Sequence, residues 1–309
     1  NCDAAAAAEL GRRAAQAGLK LIVDFHYSDF WADPGKQRAP KAWEGLSAGE
    51  KAEALYAYTK DSLRRILEAG GEVDVVQLGN EINGGLCGES DWACVGLLLD
   101  AGSRAVRELC PGARIALHFT DPQREGAYRR YAETLEELGA DYDLFASSYY
   151  PCWHGTLDEL TAALSEAAAA SGRQVMVMET AYPYTEADSD FFANTLGADA
   201  GEYRPFPYTV EGQAAAVRSV LDAVRRTEGG AGVCCWEGAW IAAGGASYEE
   251  NRAKWERFGC GWAAGAAGEY DPDAADAPGG CAVDNQAFFG PDGRALESLK
   301  LFGEFQNGV

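Results

Sequence analysis

Short apolar runs alternate with longer stretches of helical period along the whole chain. The runs fall at 19–25, 73–78, 113–119, 144–150, 174–178 and 232–236, dense in Val, Ile, Leu, Phe and Met, as strands buried on both faces require. Between them apolar positions recur every three to four residues, which predicts helices at 3–17, 48–68, 95–109, 124–138, 157–170 and 212–226. Asp3 reads as the N-cap of the first helix, Gly18 ends it, and Pro111-Gly112 stops the third. A helical turn near 296–302 closes the chain. Strands alternating with helices predict a parallel α/β architecture. Six strands are legible, and a closed barrel of this kind needs eight. No internal repeat, low-complexity linker or shift in composition divides 1–309, so one domain is expected. Its Gly- and Ala-rich stretch 244–290 reads as a long loop laid over the barrel.

The carboxyl ends of parallel barrel strands are where chemistry sits, and the polar residues that interrupt the apolar runs fall there. The run at 73–78 breaks on Gly79 into Asn80-Glu81. A Glu in that place is a general acid if its surroundings raise its pKa, and the adjacent Asn can hydrogen-bond a sugar hydroxyl; the alternative is a turn with a solvated Glu. The run at 174–178 ends on Glu179, before an aromatic and proline-rich loop. Two carboxyls roughly 5 Å apart are the apparatus of a retaining glycosidase, one as acid/base and one as nucleophile. Other strand ends supply residue types that bind sugars. The end of the first strand delivers Asp24 and His26, with Tyr27 and Trp31 beyond, and His118 stands at the end of the third. Tyr149 and Tyr150 end the fourth, with Trp153 and His154 beyond, and Trp236 ends the last. Against each stands a packing role: a hydrogen-bonded core His26, a core aromatic pair at 149–150, a packed Trp236.

The segments DFHYSDFWADPGKQRAPKAW (24–43), VQLGNEINGGL (76–86), SSYYPCWHGTL (147–157), VMVMETAYPYT (175–185), EGQAAAV (211–217), WEGAWI (236–241) and AVDNQAFF (282–289) occur in that order. Together they resemble the family 53 glycoside hydrolases, endo-β-1,4-galactanases of the large clan of retaining (β/α)8-barrel glycosidases. The resemblance extends from about residue 1 to the C-terminus. It implies a TIM-barrel glycosidase with Glu81 as acid/base and Glu179 as nucleophile, and a Tyr at 149 or 150 hydrogen-bonded to that nucleophile. The implied substrate is β-1,4-galactan, the neutral side chain of pectin, handled by a secreted monomer. A catalytically dead carbohydrate-binding remnant and another β-glycan specificity are the alternatives. The resemblance also implies two strands ahead of the helix at 3–17, the second carrying an active-site Arg, so six of eight strand–helix units are expected here. On that reading the barrel is open between 19–25 and 232–236, leaving apolar strand edges to aggregate. The chain alone is then expected to be poorly soluble and weakly active, and to be rescued by an upstream segment of roughly 70–90 residues.

Composition narrows the partners. The 309 residues are 47% hydrophobic, typical of a globular fold, and carry a formal net charge of −22. That charge argues against nucleic acid, an anionic membrane or a polyanionic substrate and suits a neutral one. No run of 18 apolar residues occurs and no charged-then-apolar leader is present. The nine cysteines (2, 87, 94, 110, 152, 234, 235, 260 and 281) contain no metal-type CxxC pair. Cys87 with Cys94 and Cys260 with Cys281 can clip two long loops, whereas Cys234-Cys235 in a buried strand reads as free thiol. No organic cofactor is expected. Asp188, Asp190 and Asn194 space oxygen side chains as in a calcium loop, or as a solvated turn. The bacterial members of the resembled family carry calcium at this place, with a His where this chain has Phe192. One side-chain ligand is therefore replaced by backbone carbonyl or water in the calcium reading.

Overall fold

The computed structural model describes residues 3–198, 203–242, 247, 249–251, 254 and 280–306. Most of the stretch 244–290, and with it Cys260, lies outside the described residues, as does Cys2. Six strands, β1 (Leu21–Phe25), β2 (Val73–Leu78), β3 (Arg114–Phe119), β4 (Leu144–Ser148), β5 (Gln174–Glu179) and β6 (Gly230–Val233), stand in one sheet in chain order. Between and around them run α1 (Ala4–Gln16), α2 (Ala48–Glu68), α3 (Trp92–Leu109), α4 (Ala127–Glu137), α5 (Leu157–Ser171), α6 (Val210–Arg226) and a short α7 (Leu301–Gln306). The chain divides into two compact units. One comprises Asn1–Thr120, Glu125–Ser147 and Ser165–Val175, the other Asp121–Arg124, Ser148–Leu164 and Met176–Val309.

In the first unit β1 to β4 pair parallel, with Phe25 opposite Leu78, Gln77 opposite Ala116 and Phe119 opposite Ser147. The helices begin where local chemistry allows. Asp3 caps α1 through its carboxylate to Ala6 N–H (2.8 Å), and Ser47 with Glu50 forms a capping box on α2. The apolar face of α2 buries Leu55, Leu63 and Ile66, while that of α3 buries Val95, Leu98 and Val106. Against this core the buried polar residues of the strands stand out. Gln77 in β2 and His118 in β3 are both fully buried in otherwise apolar runs.

In the second unit Tyr149 N–H donates to Glu179 carbonyl (2.8 Å), joining the end of β4 to that of β5. Cys234 N–H then donates to Val177 carbonyl on β5, and just beyond that strand Thr180 N–H donates to Cys234 carbonyl while Trp236 N–H donates to Thr180 carbonyl (2.9 Å). The expected strand at 232–236 is thus shifted to Gly230–Val233, because the chain turns at Cys234-Cys235 to reach Glu237 with φ +50°. The fully buried Gln213 of α6 donates to the carbonyls of Tyr182, Gln286 and Ala287 and accepts from Ser298. It ties the C-terminal segment to the loop after β5. Cys87 and Cys94 are both free thiols, so the expected clip between them is not formed; Cys281, Cys234 and Cys235 are also free. The two cysteines of β6's end are only partly buried, since that strand is itself half-exposed. Among the described residues no helix is long and apolar enough to cross a membrane.

Candidate active site

Four non-glycine residues just beyond strands take a left-handed backbone: Tyr27 after β1, Glu81 after β2, Asp121 after β3 and Glu237 after β6, all with φ between 48° and 64°. Such conformations cost on the order of 1–3 kcal/mol each and persist only where surrounding structure enforces them. At Glu81 the enforcement is visible. Gly79 (φ +82°) turns the chain where a Cβ would lie 2.6 Å from Ile82 Cγ2 and 2.7 Å from Leu86 Cδ1, so no other residue fits. Gln37 then donates through Nε2 to the carbonyls of Asn80 (2.8 Å) and Glu81 (3.3 Å). Asn83 exchanges two 2.9 Å hydrogen bonds with the backbone of Thr120, pinning the loop to the end of β3.

Beside Glu81 the first unit gathers Asp24, His26, Asn80 and His118. Ala32 N–H donates to His26 Nδ1 (2.8 Å), so Nε2 of His26 carries the hydrogen and donates to Asp24 Oδ2 (3.0 Å). Gln77 Nε2 donates to Asp24 Oδ1 (2.7 Å) and to Asn80 Oδ1 (3.2 Å). Asn80 Nδ2 donates to Ala32 carbonyl, and His118 Nδ1 lies 2.8 Å from Asn80 Oδ1. Burial pushes His118 down to about 4 despite the nearby Asp24, so its imidazole is neutral at ordinary pH. Trp31 stacks on Phe30 at 4.4 Å, with Lys36 Nζ 5.9 Å from its ring centre.

In the second unit the two tyrosines part company. Tyr150 donates its hydroxyl hydrogen to Glu179 Oε2 at 2.6 Å, while Tyr149 is buried and donates to Gly155 carbonyl. Around Tyr150 stand Trp153 (5.4 Å between ring centres), His154 (5.6 Å) and Trp236 (6.3 Å, edge-on). Trp153 keeps 42% of its surface exposed, a large aromatic open to a ligand. Burial also lowers the pKa of His154, whose Nδ1 faces Tyr150 N–H. The strand-end carboxylate is therefore oriented by a hydroxyl and ringed by aromatics, the setting in which sugars are bound by hydrogen bonds and ring stacking.

One carboxyl escaped the sequence reading. Glu237 directly follows Trp236, and burial pushes it up to about 7. The rule that singled out Glu81 and Glu179, a Glu at a strand end beside a sugar-binding residue type, finds it too. The native state thus holds a proton that the unfolded chain, at the ordinary value of 4.5, has released. Its contribution to stability is complete below pH 4.5 and is lost as pH rises through about 7. Between pH 5 and 7.5 the Tm of the wild-type chain should fall relative to that of Glu237→Gln. Parallel Tm–pH curves for the two proteins would contradict this assignment.

The loop at 188–194 converges on Asp284, which sequence reasoning missed because it lies 90 and more residues away. Asn194 donates to Asp284 Oδ1 (2.9 Å), and Asn194 N–H is held by Asp188 Oδ1 (2.8 Å). Asp190 accepts from Phe192 N–H and Cys281 N–H. Burial, with Asp190 and Asp188 nearby, pushes Asp284 up to about 6 against the favourable bond from Asn194. Asn194 Oδ1 is buried without a hydrogen-bond partner among the described residues. Asp188 and Asp190 stand near enough to Asp284 to raise its pKa, and with the orphaned amide oxygen of Asn194 they are oxygen donors of the type a hard cation takes.

The model for the family described as Glycosyl hydrolase family 53 matches residues 1–302. An endo-β-1,4-galactanase of Bacillus subtilis (strain 168) is 49% identical over 311 aligned residues, covering 100% of this chain and 72% of that protein. Among solved structures, the GH53 catalytic domain of Ignisphaera aggregans is 31% identical with a TM-score of 0.80, covering 96% of this chain and 76% of that one. An endo-1,4-β-xylanase of Caldicellulosiruptor owensensis is 13% identical with a TM-score of 0.56, covering 95% of this chain and 80% of that one, a likeness of fold.

Proposed function

The chain belongs to glycosyl hydrolase family 53, and from that premise we propose that it cuts β-1,4-galactan internally with retention of anomeric configuration. It is a glycoside hydrolase acting on a polysaccharide. In the proposed reaction Glu81 protonates the departing glycosidic oxygen while Glu179 attacks the anomeric carbon. Glu81 then removes a proton from the water that releases the sugar. This chemistry requires the two carboxyls about 5 Å apart. The single observation that most supports the reading is the 2.6 Å hydrogen bond from Tyr150 to Glu179 within an aromatic surround. A hydroxyl donor fixes the orientation of the carboxylate through Oε2. Asp24, Asn80, Trp31 and Trp153 serve the sugar, and Trp236 is the floor on which a ring lies.

Incubation with galactan should release reducing ends, with a mixture of oligosaccharides appearing before monosaccharide. Proton NMR during the first minutes should show the β-anomer before mutarotation. The α-anomer first would mean inversion, and galactan bound without any cleavage would leave a carbohydrate-binding protein instead. On this reading the enzyme acts outside the cell, on the galactan side chains of pectin.

Asp188, Asp190, Asn194 and Asp284 would hold a calcium ion, whose contribution is structural: it neutralises the crowded carboxyls and secures the loop. A ligand bound only by the folded state stabilises it by mass action. Chelation should therefore lower Tm by on the order of 5 °C, and Asp190→Ala should remove the difference between chelated and calcium-loaded protein. Equal Tm in both conditions for the unaltered chain would leave the loop a solvated turn.

A further inference from the structure

We propose that Gln77 is a positioning residue of the proposed galactanase reaction, acting through Asn80 on the sugar hydroxyl next to the anomeric carbon. The inference rests on the glycosidase reading above and adds a residue to it. Gln77 is fully buried in the middle of β2, where its neighbours Val75, Val76 and Leu78 are apolar. An amide there is a costly choice unless its polar atoms are used. Only one end of it is. Nε2 donates to Asp24 Oδ1 and Asn80 Oδ1, whereas Oε1 is buried with no hydrogen-bond partner among the described residues. The use made of this buried amide is therefore its donor pair, to Asp24 and to Asn80.

The donor directions in this cluster are forced by the backbone of Ala32. Its N–H can only donate, so His26 accepts at Nδ1 and passes its Nε2 hydrogen to Asp24. Its carbonyl can only accept, so Asn80 must present Nδ2 there and turn its Oδ1 to Gln77 and His118. The circuit Ala32–His26–Asp24–Gln77–Asn80–Ala32 closes on itself. Turning the Asn80 amide over would set oxygen against the Ala32 carbonyl and N–H against the Gln77 donor. Gln77 is the one member that bridges the acidic arm of the circuit to Asn80. It thereby holds Asn80 so that its second Nδ2 hydrogen remains as a donor for a sugar hydroxyl, already oriented before the substrate arrives. Hydrogen bonds to the hydroxyl at C2 strengthen in the oxocarbenium-like transition state. Loss of orientation should accordingly appear in kcat more than in KM.

The test uses Gln77→Met, which keeps the length of the side chain and removes the donor. Two substrates are compared, an aryl β-1,4-galactobioside and its counterpart lacking the C2 hydroxyl on the sugar that is attacked. On the first, kcat should fall on the order of 10- to 100-fold with KM changed by less than roughly threefold. On the second, the variant should match the wild-type chain, and adding Gln77→Met to Asn80→Ala should cost nothing further. Should Gln77→Met fail to fold, the isosteric Gln77→Glu carries the same comparison. Equal losses on both substrates would assign Gln77 to the fold alone and overturn the proposal, as would an unchanged kcat on the first. A wild-type chain inert on galactan would remove the glycosidase reading and the positioning role together, whereas active wild type with equal losses removes only the latter.

Discussion

Glu179→Gln should bind galactan oligosaccharides about as tightly as the wild-type chain while kcat falls by on the order of 10⁴-fold or more, the scale seen when a nucleophile that works as part of a unit is removed. The reason lies at the end of β5. Glu179 is the last residue of that strand, and its Oε2 accepts the Tyr150 hydroxyl at 2.6 Å. The amide of Gln occupies nearly the same volume and can still accept from Tyr150. The aromatic surround of Tyr150, Trp153 and Trp236 is then undisturbed. On the proposed mechanism, what the substitution removes is the anionic oxygen that would form the bond to the anomeric carbon. Calorimetric titration with a non-hydrolysed oligosaccharide measures affinity, and reducing-end release over days measures residual turnover. A variant retaining more than about one per cent of the wild-type rate lies far outside the loss expected of a nucleophile, and would assign that role elsewhere.

Glu81→Ala should behave differently, and the difference is diagnostic. An acid/base catalyst contributes about 10²- to 10⁴-fold, so cleavage of galactan, whose leaving group is a poor one, should fall by that range. With a dinitrophenyl galactobioside the leaving group needs no proton. Formation of the glycosyl-enzyme should then stay fast, and its hydrolysis should become slow for want of the base. Azide, a nucleophile that needs no deprotonation, should restore turnover and give the β-galactobiosyl azide. Gly79, Gln37 and the Asn83–Thr120 pair hold the left-handed turn at Glu81 through backbone atoms, so loss of the carboxylate leaves the turn in place. Failure of azide to accelerate the variant, or formation of the α-azide, would dismiss Glu81 as acid/base.

Much of the fold was legible because the signals for it are local. The α2 helix runs over the 48–68 span that its periodicity predicts, and β2 over 73–78, since an apolar face repeats within a few residues of itself. Asp3 caps α1 because an N-cap acts over three residues. The last strand was placed two residues late: Cys234, Cys235 and Trp236 look like a strand by composition, but the turn that carries Glu237 starts there. No cysteine spacing indicated that Cys87 and Cys94 stay apart.

What the sequence alone determined is the order of strands and helices, the residues that stand at strand ends, and the family to which those ends point. Glu81, Glu179 and Trp236 could be named because they stand where apolar runs end. Tertiary structure alone decided which tyrosine serves Glu179, since Tyr149 and Tyr150 are adjacent in the chain and only the path of the neighbouring strand and loop sends one hydroxyl to Glu179 and the other to Gly155. It alone brought Asp284 to the loop at 188–194, and joined Gln77 to Asp24 across 53 positions of sequence. It alone placed Glu237 where burial raises its pKa. Periodicity records which face of an element meets a core, whereas hydrogen-bond partners and desolvation depend on groups brought together from distant parts of the chain, and those meet only once the chain has folded.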